Sequence, residues 1–119
     1  MPLEESDVAY LADMLIAARR IERFMTGIAY TAFEEDDMRA MAVERAFEII
    51  GEAARLLSAG FRESNPTLPI AQMIGLRNII AHEYADIDYR VLYRVATVDV
   101  PQLIHVLESL VPDSPESPE

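Results

Sequence analysis

Residues 69–84 read PIAQMIGLRNIIAHEY. The stretch is mostly apolar, as a packed helix requires, and Pro69 suits a first helical turn because the amide it lacks has no partner there. The expected helix runs from Pro69 to about Glu83. Within it stand Arg77, Asn78, His82 and Tyr84, polar groups set into a segment that otherwise reads as core. On a helix advancing about 100° per residue, Arg77 and Tyr84 fall within about 20° of each other, while Arg77 and His82 lie about 140° apart. Asn78 and His82, four residues apart, share a second stripe. A straight isolated helix therefore does not aim Arg77 and His82 at one small point. A helix end near His82, the long reach of arginine, or a second subunit would bring them together.

Outward from this stretch the interior of the chain reads as strongly helical. A first helix is expected over about Ser6–Met25, with Ser6 as N-cap and Asp7 in the first turn facing the helix dipole. Tyr10, Met14, Ala17, Ile21, Phe24 and Ile28 recur at three- and four-residue steps, the pattern of an amphipathic bundle helix. Arg19, Arg20 and Arg23 cluster toward its end, where cations suit the dipole and where a phosphate-facing role is the alternative. Thr31-Ala32-Phe33-Glu34 has capping-box spacing. The acids Glu34, Glu35, Asp36 and Asp37 mark a helix start rather than a metal site.

The second helix is expected to reach about Ser58. Its apolar face is formed by Met38, Met41, Ala42, Ala46, Ile49, Ile50, Ala53, Leu56 and Leu57. Gly51 inside it costs about 1 kcal/mol against alanine, which points to a close helix–helix approach. Glu52 beside it is either a plain surface acid or a buried partner for an arginine. A loop over 59–68 follows, with Gly60 as C-cap and Asn65-Pro66 as a turn. Beyond the opening stretch, Asp88 is the expected N-cap of a fourth helix through Tyr89, Leu92 and Val95. At Pro101 the chain kinks or restarts, and a fifth helix spans about Val100–Leu110. The fold class is all-α, an antiparallel bundle of four to five helices with short connections. One domain covers residues 1–111, and 112–119 form an acidic, proline-rich, disordered tail.

Composition limits the chemistry. There are 119 residues, no cysteine, and a net charge of −11 from 21 acids and 10 bases. Disulfides, thiolate metal sites and a cysteine nucleophile are excluded. The acidic start lacks the pattern of a signal peptide, and no run approaches the ~20 apolar residues of a membrane span, so a cytoplasmic protein is expected. The acidic surface repels nucleic acid at long range and suits a basic partner protein; any nucleic-acid role requires a local cationic site.

Arginine and histidine meet the needs of metal-free RNA cleavage. Histidine titrates near neutrality and serves as base or acid. Arginine stays charged and offers a fork of donors to phosphate oxygens. Asn78, one turn before His82, could orient the ring. The same residues also fit a satisfied structural histidine and a helix-end aromatic at Tyr84, and spacing alone leaves both readings open.

The string Arg77-x4-His82-x-Tyr84 resembles the R-x4-H-x-Y signature of HepT-like toxins in the HEPN superfamily. IIGEAARLL (49–57), FRESNPTLP (61–69), IGLRNIIAHEYADID (74–88) and DVPQLIHVLESL (99–110) follow in that family's order, so the resemblance covers about residues 40–110. It implies a helical bundle that forms a homodimer with two R-x4-H motifs in one cleft. It also implies a metal-independent endoribonuclease without cofactor, the toxin of a toxin–antitoxin pair. Arg77 and His82 are then the catalytic pair and Asn78 a supporting residue. Tyr84 is the acceptor of AMP transferred by a cognate minimal nucleotidyltransferase antitoxin. A catalytically silent interaction module and a non-cleaving RNA- or nucleotide-binding protein are the alternatives.

Overall fold

The computed structural model describes residues 4–82 and 87–112. Among them the chain is all-α, with no strand. Its order is α1 (Glu5–Met25), α2 (Tyr30–Glu34), α3 (Asp37–Leu56), α4 (Ala59–Ser64), α5 (Ile70–His82), α6 (Tyr89–Arg94), a π-helical turn (Val95–Asp99) and α7 (Val100–Leu110). The long helices α1 and α3 carry the core. Leu11, Met14, Leu15, Ala18 and Ile21 of α1 close on Ala40, Val43, Ile50 and Ala54 of α3, all essentially without solvent contact. Phe33 seals one end, its ring tilted against Tyr89 and Tyr93. Burying a large side chain of this kind is worth about 1.5–3 kcal/mol.

Two polar ties fix α1 antiparallel to α3. At one end Arg39 Nη1 donates to the Phe24 carbonyl. At the other, Asp7 is only 2% exposed. Its carboxylate accepts from Ser58 N at 2.9 Å and from Ser58 Oγ at 2.7 Å. Ser58 Oγ in turn accepts from Phe61 N and so caps α4. Asp7 therefore holds the cap of another helix rather than serving only its own dipole. Asp7→Ala strips Ser58 of both acceptors, and a loss of about 1–3 kcal/mol is expected, read as a lower urea midpoint at unchanged m-value.

Several boundaries differ from the sequence expectation, each for a local reason. Glu4, not Ser6, is the N-cap of α1, without a side-chain bond. The Thr31 capping box does not form, because α2 starts at Tyr30 and ends at Glu34. Asp36 caps α3 instead, accepting from Arg39 N at 3.0 Å and Arg39 Nε at 3.1 Å. The Arg39 amide bond is the main cause holding the Asp36 carboxyl below its usual range. This cap is present above the ordinary carboxylate pKa and is lost as pH falls through the lowered one. The expected loop at 59–68 contains α4, and Gly60 lies inside that helix rather than at a C-cap. Asp88 caps α6 as expected, accepting from Arg90 N at 2.9 Å. The chain neither breaks nor restarts at Pro101. The π turn carries α6 into α7 without leaving helical dihedrals, with Val100 N–H donating to the Val95 carbonyl. Pro101 has no amide to donate, and it sits in the first turn of α7, where the loss costs least.

The apolar face of α3 is narrower than expected. Met38 is 83% exposed, Met41 66% and Leu56 43%, because the inward stripe runs through Ala40, Val43, Phe47, Ile50 and Ala54. The helix α5 packs chiefly on α3, and of its residues only Ile70 and Ile80 are buried. Ile79 is 45% exposed, so the opening stretch forms an edge of the bundle rather than its centre. Residues from 113 onward lie outside the described region. No described helix is long and apolar enough to cross a membrane.

Candidate active site

The contact between α3 and α5 is built around Gly51. A Cβ placed there would run into the Arg77 stem at Cβ and Cγ, and would lie 2.8 Å from the Met73 carbonyl oxygen. The absent side chain is therefore a notch through which the stem of Arg77 passes. This is the close approach expected of Gly51, and it fixes where Arg77 leaves its helix.

Beyond the notch the guanidinium meets two acceptors. Nη2 lies 3.3 Å from Glu52 Oε2, and Nη1 donates to Asn78 Oδ1 at 3.2 Å. Glu52 is thus the partner of an arginine, though at 41% side-chain exposure it is not a buried one. Its other oxygen, Oε1, accepts from Arg55 Nη2 at 2.5 Å. That bond is the main cause holding the Glu52 carboxyl below its usual range, and the Arg77 charge adds to it. Glu52 is therefore ionised at neutral pH and joins two guanidinium groups. The trio of Glu52, Arg55 and Arg77 carries a net charge of +1, on a chain of −11, and Glu52 also lies in a surface pocket with Asp13, Glu48 and Arg45. Arg55 had no part in the sequence reading; its signal was the three-residue spacing from Glu52, which places both on one helical face.

His82 occupies the last described position of α5 and is exposed. Ile87 and Asp88 are not helical. The His82 ring has no hydrogen-bond partner among the described residues, and the Asn78 amide oxygen is engaged with Arg77. Tyr84 lies outside the described residues.

Of the basic cluster in α1, Arg19 is bound to Glu108 of α7 at 2.8 Å. The main packing of α1 is on α3 and α7, not on α5. Among the described residues no three histidine, aspartate or glutamate side chains form a group that could hold a metal ion. A groove of about 730 Å³ opens between α5 and the α6–α7 run. It is floored by Phe47 and Ile50 of α3 and flanked by Met73, Leu76 and Ile79 on one side and Val91, Val95 and Leu103 on the other. Its lining is mainly apolar, and Ile79 and Val91 are both more than 40% exposed there.

Comparison with known proteins gives the family. A protein of Methanocaldococcus jannaschii named "Putative RNase MJ1380" is 43% identical over 95 residues, covering 80% of this chain and 87% of that one. A protein of Thermococcus cleftensis named "Probable ribonuclease HepT" is 34% identical over 108 residues, covering 91% and 98%. One of Caldanaerobacter subterraneus named "Putative RNase TTE0752" is 31% identical over 94 residues, covering 79% and 84%. No solved structure gives a significant match. The family model described as "Ribonuclease HepT-like" matches residues 14–110, from the middle of α1 to the end of α7, and the chain belongs to the HepT-like ribonuclease family.

Proposed function

We propose that this protein is a metal-independent endoribonuclease, the toxin of a toxin–antitoxin pair, with Arg77 and His82 as its catalytic residues. What supports the reading is a clamped guanidinium at the α3–α5 contact and, five residues on, an exposed imidazole at the last described position of the same helix, in a chain of this family. In the reaction His82 takes the proton of the ribose 2′-hydroxyl. The 2′-oxygen attacks phosphorus, and Arg77 stabilises the charge of the phosphorane with its free N–H groups. The P–O5′ bond then breaks and O5′ takes up a proton, leaving a 2′,3′-cyclic phosphate and a 5′-hydroxyl. Asn78 supports the reaction by holding Arg77 Nη1.

In this reading two copies associate, and the apolar groove beside α5 is a suitable surface for the second copy. The second His82 is then at hand as the acid that protonates O5′. The test is RNA integrity with purified wild type and His82→Ala. Cleavage by the first and not the second is expected; equal integrity with both would remove the nuclease reading.

Tyr84, two residues beyond His82, is the proposed acceptor of AMP from a cognate minimal nucleotidyltransferase antitoxin. The phenolic oxygen attacks the α-phosphorus of ATP, pyrophosphate leaves, and the phenolic proton passes to solvent or a base. The attached phosphodiester brings a negative charge to the surroundings of Arg77 and competes with RNA phosphate. Intact-mass measurement after incubation with the partner and ATP is expected to give a gain in multiples of one AMP, absent in Tyr84→Phe. A gain that survives Tyr84→Phe would reassign the acceptor.

A further inference from the structure

We infer that Glu52 is a positioning residue for Arg77. Together with the Gly51 notch it forms a clamp that sets the direction of the guanidinium toward an RNA phosphate; the catalytic part of this rests on the nuclease reading above. An exposed arginine side chain loses about 2 kcal/mol of rotamer entropy when it is fixed, so a free arginine samples many directions. Here three contacts take up that freedom in sequence. The stem is confined where it crosses Gly51. Nη2 is drawn to Glu52 Oε2 and Nη1 to Asn78 Oδ1. A guanidinium has five N–H groups; two are used here, and the others stay available for phosphate oxygens.

Arg55 makes this arrangement stable against its own electrostatics. One carboxylate facing one guanidinium would cancel the charge that the phosphate must meet. With Arg55 on Oε1, Glu52 is shared between two guanidinium groups, so it does not cancel the Arg77 charge alone while Arg77 keeps an anchor. The carboxylate acts on the reaction through Arg77 and does not touch the substrate.

This assignment makes a prediction that plain destabilisation does not. Glu52→Ala removes the anchor of Nη2, leaving Asn78 alone on the guanidinium, and adds a unit of positive charge. RNA is then attracted more strongly while the phosphorane is stabilised less well. With a fluorescent oligoribonucleotide under multiple turnover, kcat is expected to fall about 10–100-fold, the range for a misplaced reacting group, while KM falls rather than rises. A folding defect instead lowers kcat through the active fraction and leaves KM unchanged. Glu52→Gln, which keeps an oxygen acceptor for Arg77, should recover much of kcat. In an Arg77→Ala background, Glu52→Ala should change kcat by less than about twofold, because residues acting as a unit are not additive.

Nitrogen-15 NMR of the arginine side chains gives a readout independent of activity. Rotation about the Nε–Cζ bond of Arg77 is expected to be hindered in wild type and Glu52→Gln and markedly faster in Glu52→Ala, where Asn78 alone holds the group. Free rotation in wild type overturns the clamp whatever the catalytic rates. Unchanged kcat and KM in Glu52→Ala, in a wild type that cleaves RNA, overturn its role in the reaction. Hindered rotation in a wild type that does not cleave RNA leaves the clamp standing and removes the nuclease reading alone.

Discussion

Arg77→Ala is expected to lower RNA cleavage by about 10²–10³-fold, the cost of removing one preorganised donor from a developing oxyanion. In the proposed reaction the charge on the phosphorane oxygens grows as the 2′-oxygen attacks, and a guanidinium already held in place meets it without reorganising. Arg77→Lys separates charge from shape. An ammonium keeps the cation but loses the planar fork and the two simultaneous contacts to Glu52 and Asn78. Its activity should lie between wild type and alanine, nearer alanine. Single-turnover rates at saturating enzyme measure the chemical step directly. Thermal unfolding of the same variants should move little, because a pair this exposed contributes about 0–1 kcal/mol and Glu52 keeps Arg55. Equal single-turnover rates for wild type and Arg77→Ala would exclude Arg77 from the reaction.

Gly51→Ala is expected to destabilise the bundle and impair cleavage together. Propensity alone predicts the reverse, since alanine is favoured over glycine in a helix interior by about 1 kcal/mol. The contact decides the sign. The new methyl would strike the Arg77 stem and press within 2.8 Å of the Met73 carbonyl oxygen. The far end of a side chain can swing away, but a backbone carbonyl and a Cβ cannot. The two helices must therefore separate, and overpacking of this kind costs about 1–3 kcal/mol. Arg77 is carried outward with α5 and Glu52 stays on α3, so the clamp opens, and a loss in kcat of about 10-fold or more is expected. Urea unfolding and cleavage rates on the same preparations check both halves. A Gly51→Ala protein more stable than wild type would contradict the close approach.

Much of the fold was legible because helix formation is local. Apolar residues at three- and four-residue steps mark α1, α3 and α7, and Asp88 caps α6 where its position indicated. The errors cluster where a local signal has a distant competitor. Thr31 and Glu34 have the spacing of a capping box, but Asp36 with Arg39 caps the longer helix. Ser6 is a good N-cap by type, yet the chain is already helical at Glu5. The broad apolar stripe drawn on α3 took in Met38 and Met41, since periodicity gives the phase of a helix but not the width of the face its neighbours cover.

The motif divides in the same way. Arg77, Asn78 and His82 stand out by residue type in an apolar stretch, and the wheel left a helix end, the reach of arginine or a second subunit as ways for Arg77 and His82 to meet. Glu52 was visible only as an acid beside a glycine, with two readings, and Arg55 carried no signal beyond its spacing. By itself, then, the sequence determined an all-α chain, the glycine at which two helices approach, and the cation and imidazole of the motif. Only the tertiary structure decided that Gly51 and Glu52 of α3 form the seat of Arg77, that Asp7 caps α4 through Ser58, and that α5 lies at the edge of the bundle beside an open groove. The physical reason is range. Helical periodicity and capping act over about four residues, whereas the acceptor that a guanidinium finds depends on which helix packs beside it.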